Sequence, residues 1–170
     1  MTSVRNTLTL DQLVAALDKG PGAEGYLHVL RSAEVSTAEL ERHSSWHEKH
    51  YTRNCIAQRE AYELLLICYE PGQRTSIHDH DSQQAYIHPV TGHIVEERFE
   101  PVADGGLRQV SCVVLGKDSF SYLSIGHSIH RCTNPGPGRA MTLNLYARPL
   151  RKWKVYDERS GLSSSSPVGA

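Results

Sequence analysis

The residues best suited to chemistry in this chain are histidines. Two stand two apart in Gly72-Gln73-Arg74-Thr75-Ser76-Ile77-His78-Asp79-His80. On a β-strand, residues two apart share a face. His78 and His80 therefore project side by side, where two imidazoles can take adjacent positions on one metal ion. Asp79 and Asp81 point the other way unless a bulge intervenes. An H-x-H pair alone also fits two ordinary histidines at a sheet edge. The pair gains weight from His130, some fifty residues on, in Gly126-His127-Ser128-Ile129-His130-Arg131-Cys132-Thr133-Asn134. Antiparallel pairing brings such a strand beside the first and adds a third imidazole. His127 faces opposite to His130 on a strand, and His88 and His93 flank the Gly92 turn. These three read as exposed or hydrogen-bonded imidazoles.

Together the two stretches resemble the paired motifs of the cupins. Gly72, His78, His80 and Gly92 match the first motif, and His130 with Asn134 matches the H-x3-N of the second. Ala85 stands where a cupin usually carries a glutamate, with Gln84 beside it. The expected sphere is thus three neutral imidazoles without a protein carboxylate. That leaves about three positions open on an octahedral ion, enough for a bidentate substrate and O2. Three histidines also suit zinc, and divalent affinity alone favours nickel or copper over iron. The ligand set does not choose the metal.

From Tyr51 to Pro149 the chain resembles the cysteine dioxygenase family, through Tyr51-Thr52-Arg53-Asn54, Ser76-Ile77-His78-Asp79-His80, Ser124-Ile125-Gly126 with His130-Arg131, and Leu143-Asn144-Leu145-Tyr146. The resemblance implies Fe(II), with Ni or Co as alternatives, on His78, His80 and His130, and O2 as co-substrate. It implies that Arg53, with Tyr51 beside it, binds the carboxylate of a small thiol amino acid, and that Tyr146 is the active-site tyrosine. The implied product is cysteine sulfinate. Three departures stand out. Ala85 replaces the cysteine that cross-links to the tyrosine in many animal members, so Tyr146 is expected to be unmodified. The family's serine–histidine–tyrosine relay becomes Thr142, Asn144 and Tyr146, and an amide cannot shuttle a proton as imidazole can. Gln84 takes the place of a supporting histidine near the first motif, a layer that governs ligand orientation. These changes admit a rearranged product such as a sulfonamide, a 3-mercaptopropionate-type substrate, or a non-catalytic small-molecule-binding cupin.

The elements that must position these residues follow from pattern. Thr9 caps a helix from Leu10 to about Lys19, ended by Gly20-Pro21-Gly22; a second covers Ala23 to Arg31; Ser36-Thr37-Ala38-Glu39 opens a third through about His47. From Tyr51, short stretches rich in Val, Ile, Leu, Tyr and Thr alternate with turn clusters, reading as strands near 51–57, 62–70, 75–80, 84–90, 93–100, 107–115, 119–124, 127–133, 139–147 and 151–156. The expectation is a mainly β fold, a cupin β-barrel of jelly-roll type preceded by two or three short N-terminal helices. One domain spans 1–159, helical over 1–50 and barrel over 51–159, and 160–170 reads as a disordered tail.

Eighteen basic against 19 acidic side chains in 170 residues, with no Lys/Arg-rich block, point to no nucleic acid and no membrane partner. Met1–Leu10 lacks the features of a secretory signal, and Leu64–Tyr69 is too short to span a bilayer. A cytoplasmic setting and a monomer or small homo-oligomer are expected. Cys55, Cys68, Cys112 and Cys132 form no C-x-x-C pair and read as free, buried or half-buried thiols.

Overall fold

The computed structural model describes residues 6–23, 25–80, 84–103 and 105–167. Its helices are α1 (Leu10–Leu17), α2 (Leu27–Ser32) and α3 (Thr37–His43). Its strands are β1 (Asn6–Leu8), β2 (Ala33–Val35), β3 (Thr52–Gln58), β4 (Tyr62–Tyr69), β5 (Ile77–Asp79), β6 (Gln84–Thr91), β7 (Ile94–Pro101), β8 (Leu107–Leu115), β9 (Ser121–Leu123), β10 (His130–Thr133), β11 (Ala140–Ala147), β12 (Lys152–Tyr156) and β13 (Ser163–Pro167). The helix starts follow the capping chemistry. The Thr9 hydroxyl accepts from the Gln12 amide while the Gln12 side chain accepts from Thr9 N–H. The Ser36 hydroxyl accepts from the Glu39 amide.

Two sheets carry the site. One has the order β3-β4-β11-β6-β9, the other β13-β12-β5-β10-β7-β8. Their facing sides share a core in which Leu65, Ile67, Ala85, Ile87 and Tyr146 of the first sheet meet Ile94 and Cys132 of the second. The expected mainly β jelly-roll fold is present, although its sheets do not close on each other into a barrel. Each keeps two edge strands, and the architecture is a jelly-roll sandwich. The outer face of the five-stranded sheet is covered by the helices. Leu64, Leu66, Cys68, Tyr86, Leu143 and Leu145 pack there against Leu10, Leu13, Leu17, Leu30 and Leu40. Each such leucine, fully buried, is worth about 1.5–3 kcal/mol of transfer free energy.

β4 and β11 are thus buried on both faces and pair in register from Tyr62↔Ala147 to Tyr69↔Ala140. Other differences from the sequence reading are local. β1 and β2 form an unforeseen parallel pair. The tail expected to be disordered from 160 instead carries β13, whose backbone pairs with β12 from Tyr156↔Ser163 to Lys152↔Pro167. Serines bring little to bury, so hydrophobicity gives no warning of this strand; the backbone ladder on the β12 edge holds it. Residues 168–170, and the expectation for Asp81, lie outside the described residues. Cys68 and Cys132 are buried as expected, but Cys55 and Cys112 are exposed; all four are free thiols. Among the described residues, no helix is long and apolar enough to cross a membrane.

Candidate metal centre

β5 and β10 meet in antiparallel register with His78 opposite His130. Directly opposed residues point to the same face, and His80 follows His78 by one strand period. The three rings converge, with centroids 4.9 Å (His78–His80), 4.7 Å (His78–His130) and 4.9 Å (His80–His130) apart. All three are buried.

Hydrogen bonding orients two of the rings. His78 Nδ1 donates to the Ser76 carbonyl at 2.9 Å. A carbonyl only accepts, so this nitrogen carries the proton and Nε2 presents a lone pair. His130 Nδ1 lies 3.1 Å from a Glu96 carboxylate oxygen, which leaves its Nε2 bare in the same way. His130 Nε2 is buried and has no partner among the described residues. His78 Nε2 and His80 Nε2 are 3.2 Å apart. Two nitrogens each ~2.0–2.1 Å from one ion stand roughly 3.0–3.4 Å apart. The donor set fits a divalent transition metal. Protonation would defeat it, and the site resists that: burial, then the neighbouring His130 and Arg53 charges, pushes His78 down to about 3, against the Ser76 hydrogen bond. Burial, reinforced by His78, His130 and Arg53, also holds His80 well below the usual imidazole range.

Sequence reasoning missed Glu96. It lies on β7, whose Glu96 pairs with Cys132 of β10. Its carboxylate accepts from His130, from Ser121 Oγ at 2.8 Å and from the Arg98 guanidinium at 3.2 Å. Burial alone would raise the Glu96 carboxyl, but the His130 hydrogen bond and charge, with Arg98 and Ser121, hold it below the ordinary carboxylate value. Glu96, His130 and Cys132 also form a cluster of potential ligands. Burial and the Glu96 charge push the Cys132 thiol well up, which opposes the thiolate a metal would need. Glu96 therefore reads as the carboxylate that orients His130. A signal was available: in strand period 2, Glu96 shares a face with the buried Ile94, whereas Glu97 faces out and pairs with Arg131.

The residues expected around the triad mostly gather there. A narrow cavity of about 10 Å³, roughly the space of one water, is lined by Tyr51, Arg53, Ile67, Tyr69, Thr75, His78, His130, Cys132, Asn144, Tyr146 and Trp153. Tyr146 packs against His80 with centroids 5.0 Å apart. Along β11, Thr142 Oγ1 donates to Asn144 Oδ1 at 2.7 Å and Asn144 Nδ2 donates to Tyr146 Oη at 3.3 Å. Burial raises the Tyr146 phenol, against the opposing pull of Arg53 and Asn144. Ala85 is the register partner of Tyr146, so no side chain there can cross-link to it. Tyr51 stacks on Tyr69 with centroids 5.6 Å apart. Gln84 is the exception. It lines a separate cavity of about 550 Å³ with Tyr26, Tyr86 and Arg148, so it does not support the imidazoles. It shares the parity of Tyr86, which packs in the helix-side core, whereas Ala85 points toward the triad. His127 and His93 are exposed, and His88 is buried with Nε2 donating to the Lys117 carbonyl at 2.9 Å. Asn134 is no ligand. Its amide donates to the Tyr69 and Gly138 carbonyls and accepts from Gly136 N–H, fixing the turn between β10 and β11.

Comparisons with known proteins agree with this geometry. The family described as cysteine dioxygenase type I matches residues 6–159. Cysteine dioxygenase type 1 of Danio rerio is 22% identical over 170 aligned positions, covering 94% of this chain and 85% of that protein. Its Rattus norvegicus counterpart is 26% identical over 137 positions, covering 78% and 68%. Among solved structures, a sugar phosphate isomerase of the cupin superfamily from Silicibacter pomeroyi superposes with a TM-score of 0.52 at 13% identity, covering 69% of this chain and 76% of that one. That likeness concerns the fold.

Proposed function

The chain belongs to the cysteine dioxygenase type I family, and from that premise we propose that it oxidises the sulfur of L-cysteine with O2, using Fe(II) held by His78, His80 and His130. The observation that carries the reading is the convergence of three buried imidazoles, two of which, His78 and His130, line one small cavity with Arg53 and Tyr146, while the third, His80, packs against Tyr146. The reaction balances without a further co-substrate: the thiol takes both atoms of O2 and becomes a sulfinate. A bound Fe(II) supplies open coordination positions and one-electron reactivity toward O2.

The chain's own residues do the rest. Arg53 offers two parallel donors to the substrate carboxylate, and Tyr51 flanks it at the cavity mouth. Its guanidinium lies over the Trp153 ring, 5.2 Å from the centroid. Among the described residues no carboxylate pairs with it, which leaves its fork available. Tyr146 aims its hydroxyl, held by Asn144, at the same space. Its proton stays on the phenol because burial disfavours the phenolate. The apolar walls Ile67 and Tyr69 keep bulk water away from the sulfur. Four free thiols suit a reducing cytoplasmic setting.

A second reading is favoured by Thr142–Asn144–Tyr146. The chain of hydrogen bonds is complete, yet its middle member is an amide that cannot relay a proton. Under this reading cysteine is bound in the same way but leaves as a rearranged product, such as a sulfonamide. One experiment addresses both. Protein loaded anaerobically with Fe(II), and in parallel with Ni(II) or Co(II), is mixed with L-cysteine and then O2. The expected product is cysteine with two added oxygen atoms. A different mass containing cysteine's nitrogen and sulfur would select the second reading. Unchanged cysteine with every metal would refute both.

A further inference from the structure

The cavity at the three histidines has a door, and its residues lie on different sheets. Of the residues lining it, only Tyr51, Arg53 and Trp153 are partly exposed; the others are buried. These three therefore form the mouth. Tyr51 is anchored by its stack on the fully buried Tyr69. Arg53 belongs to β3, the edge of the five-stranded sheet, and Trp153 to β12 of the other sheet. Their cation–π contact spans the opening.

The position of Trp153 follows from register. Val155 is the partner of His78 on β5. Trp153, two residues along, shares its face, and its ring packs on the His78 imidazole with centroids 4.8 Å apart at 57°. One indole thus packs on a proposed metal ligand and also carries the proposed carboxylate-binding arginine. A cavity of about 10 Å³ admits a thiol acid only if a wall yields. The wall free to yield is the partly exposed pair at the mouth.

We propose that Trp153 is the specificity-determining residue of this site: its ring sets how far Arg53 stands from the three imidazoles and so limits the guest to a short thiol acid. The inference rests on the reading of the site as a thiol-oxidising centre. A guest that reaches the imidazoles through sulfur and Arg53 through its carboxylate must span a fixed gap. One extra methylene between those groups is worth about 10–200-fold in discrimination at a well-packed pocket. The ring also holds Arg53 without a competing carboxylate, so the fork need not break an ion pair to take the substrate.

The test compares wild-type protein with Trp153→Ala and Trp153→Phe, each loaded with Fe(II), on L-cysteine and L-homocysteine. Wild type is expected to favour cysteine in kcat/KM, and Trp153→Ala to lower that preference by about 10-fold or more. Trp153→Phe keeps a ring under Arg53 and is expected to fall between them. It also serves if the alanine variant fails to fold. The second readout needs no turnover. The chain has two tryptophans, Trp46 and Trp153, and Trp46 lies outside the site, under Arg139. In Trp46→Phe protein, the tryptophan emission, excited at wavelengths the tyrosines do not absorb, comes from Trp153 alone. It is expected to change on anaerobic addition of cysteine and to need higher concentrations of homocysteine. If wild type oxidises cysteine and both Trp153 variants keep its preference, the assignment of Trp153 is overturned while the activity stands. If neither thiol is oxidised yet Trp153 emission still discriminates by length, the activity falls and the gate stands. Emission indifferent to both thiols, or equally responsive to them, overturns the gate.

Discussion

The two faces of the five-stranded sheet are built from the same strands and buried to a similar depth, yet they hold opposite chemistry. On β11, Met141, Leu143 and Leu145 look toward the helices, while Thr142, Asn144 and Tyr146 look into the sandwich. On β4, Leu64, Leu66 and Cys68 face the helices, and Leu65, Ile67 and Tyr69 face inward. The helix side is mostly aliphatic and aromatic. The inner side carries hydroxyl and amide groups and faces the imidazoles and the Glu96 carboxylate of the second sheet, all groups that burial makes costly unless they are satisfied. Nearly all of them are hydrogen-bonded; the exceptions among the described residues are His80 Nδ1 and His130 Nε2. The difference suggests a division of labour. The outer face supplies stability, which lets the inner face keep groups arranged for binding.

The sharpest way to break that division is to remove an imidazole. His130→Ala is expected to reduce bound metal to trace levels and thiol oxidation to background, while the far-ultraviolet circular dichroism and the cooperative melt persist. Metal content by elemental analysis is the check. A variant that unfolded outright would show that the inner face is structural and that the division is wrong.

Leu66→Ala is the mirror experiment on the helix side. Leu66 is fully buried, so its truncation is expected to cost about 2–5 kcal/mol. Chemical denaturation should show this as a lower midpoint with an unchanged slope. The folded fraction should bind metal as wild type does. Loss of metal affinity in proportion to loss of stability would mean that the two faces are not separable.

Much of this arrangement is legible in the amino-acid sequence. The pair His78 and His80 is a period-2 signal, and the resemblance to the cysteine dioxygenase family points to Thr142, Asn144 and Tyr146. His130 stands out by the antiparallel pairing its stretch could make with the first and by the likeness of His130 and Asn134 to the second cupin motif, although Asn134 is a turn residue. What escaped depends on parity or on contacts across the sheets. β6 places Ala85 inward and Gln84 outward, and nothing in the residues alone says at which position the alternation starts. The pattern over 151–156 reads as a strand, as β12 is, but the meeting of Trp153 with Arg53 requires two sheets to be stacked. The continuous burial of β4 hides alternation altogether, because both of its faces are apolar.

Glu96 tests whether the inner face needs its supporting layer. Glu96→Gln keeps an acceptor near His130 Nδ1 but removes the charge, and Glu96→Ala removes both. Loss of a carboxylate behind a ligating histidine typically weakens metal binding about 10–100-fold. The alanine variant should approach the upper end and the glutamine variant the lower end, measured by competition with a chelator and by the visible spectrum of the Co(II) form. Equal affinity in all three proteins would show that His130 is oriented by packing alone.

The smallest effect belongs to the seam between the helices and the sheet. Asp18, at the C-terminal end of α1, accepts from Tyr62 Oη at 2.6 Å and pairs with Arg59 at 3.1 Å. The Tyr62 hydrogen bond, then Arg59, holds its carboxyl below the ordinary value. A depressed carboxylate contributes stability above its unfolded pKa of about 3.9, and that contribution is lost as pH falls through the folded value. The pair is partly exposed, so solvent screens it and the effect is modest. Asp18→Asn should therefore melt slightly below wild type at pH 7, and the gap should close as the pH drops below about 4. Added salt should narrow it at pH 7. Metal content at pH 7 should not change, because this contact belongs to the helix-covered face. A gap that persisted in acid would mean that geometry rather than charge ties α1 to β4. A loss of metal would show that the seam communicates with the imidazoles on the far side of the sheet.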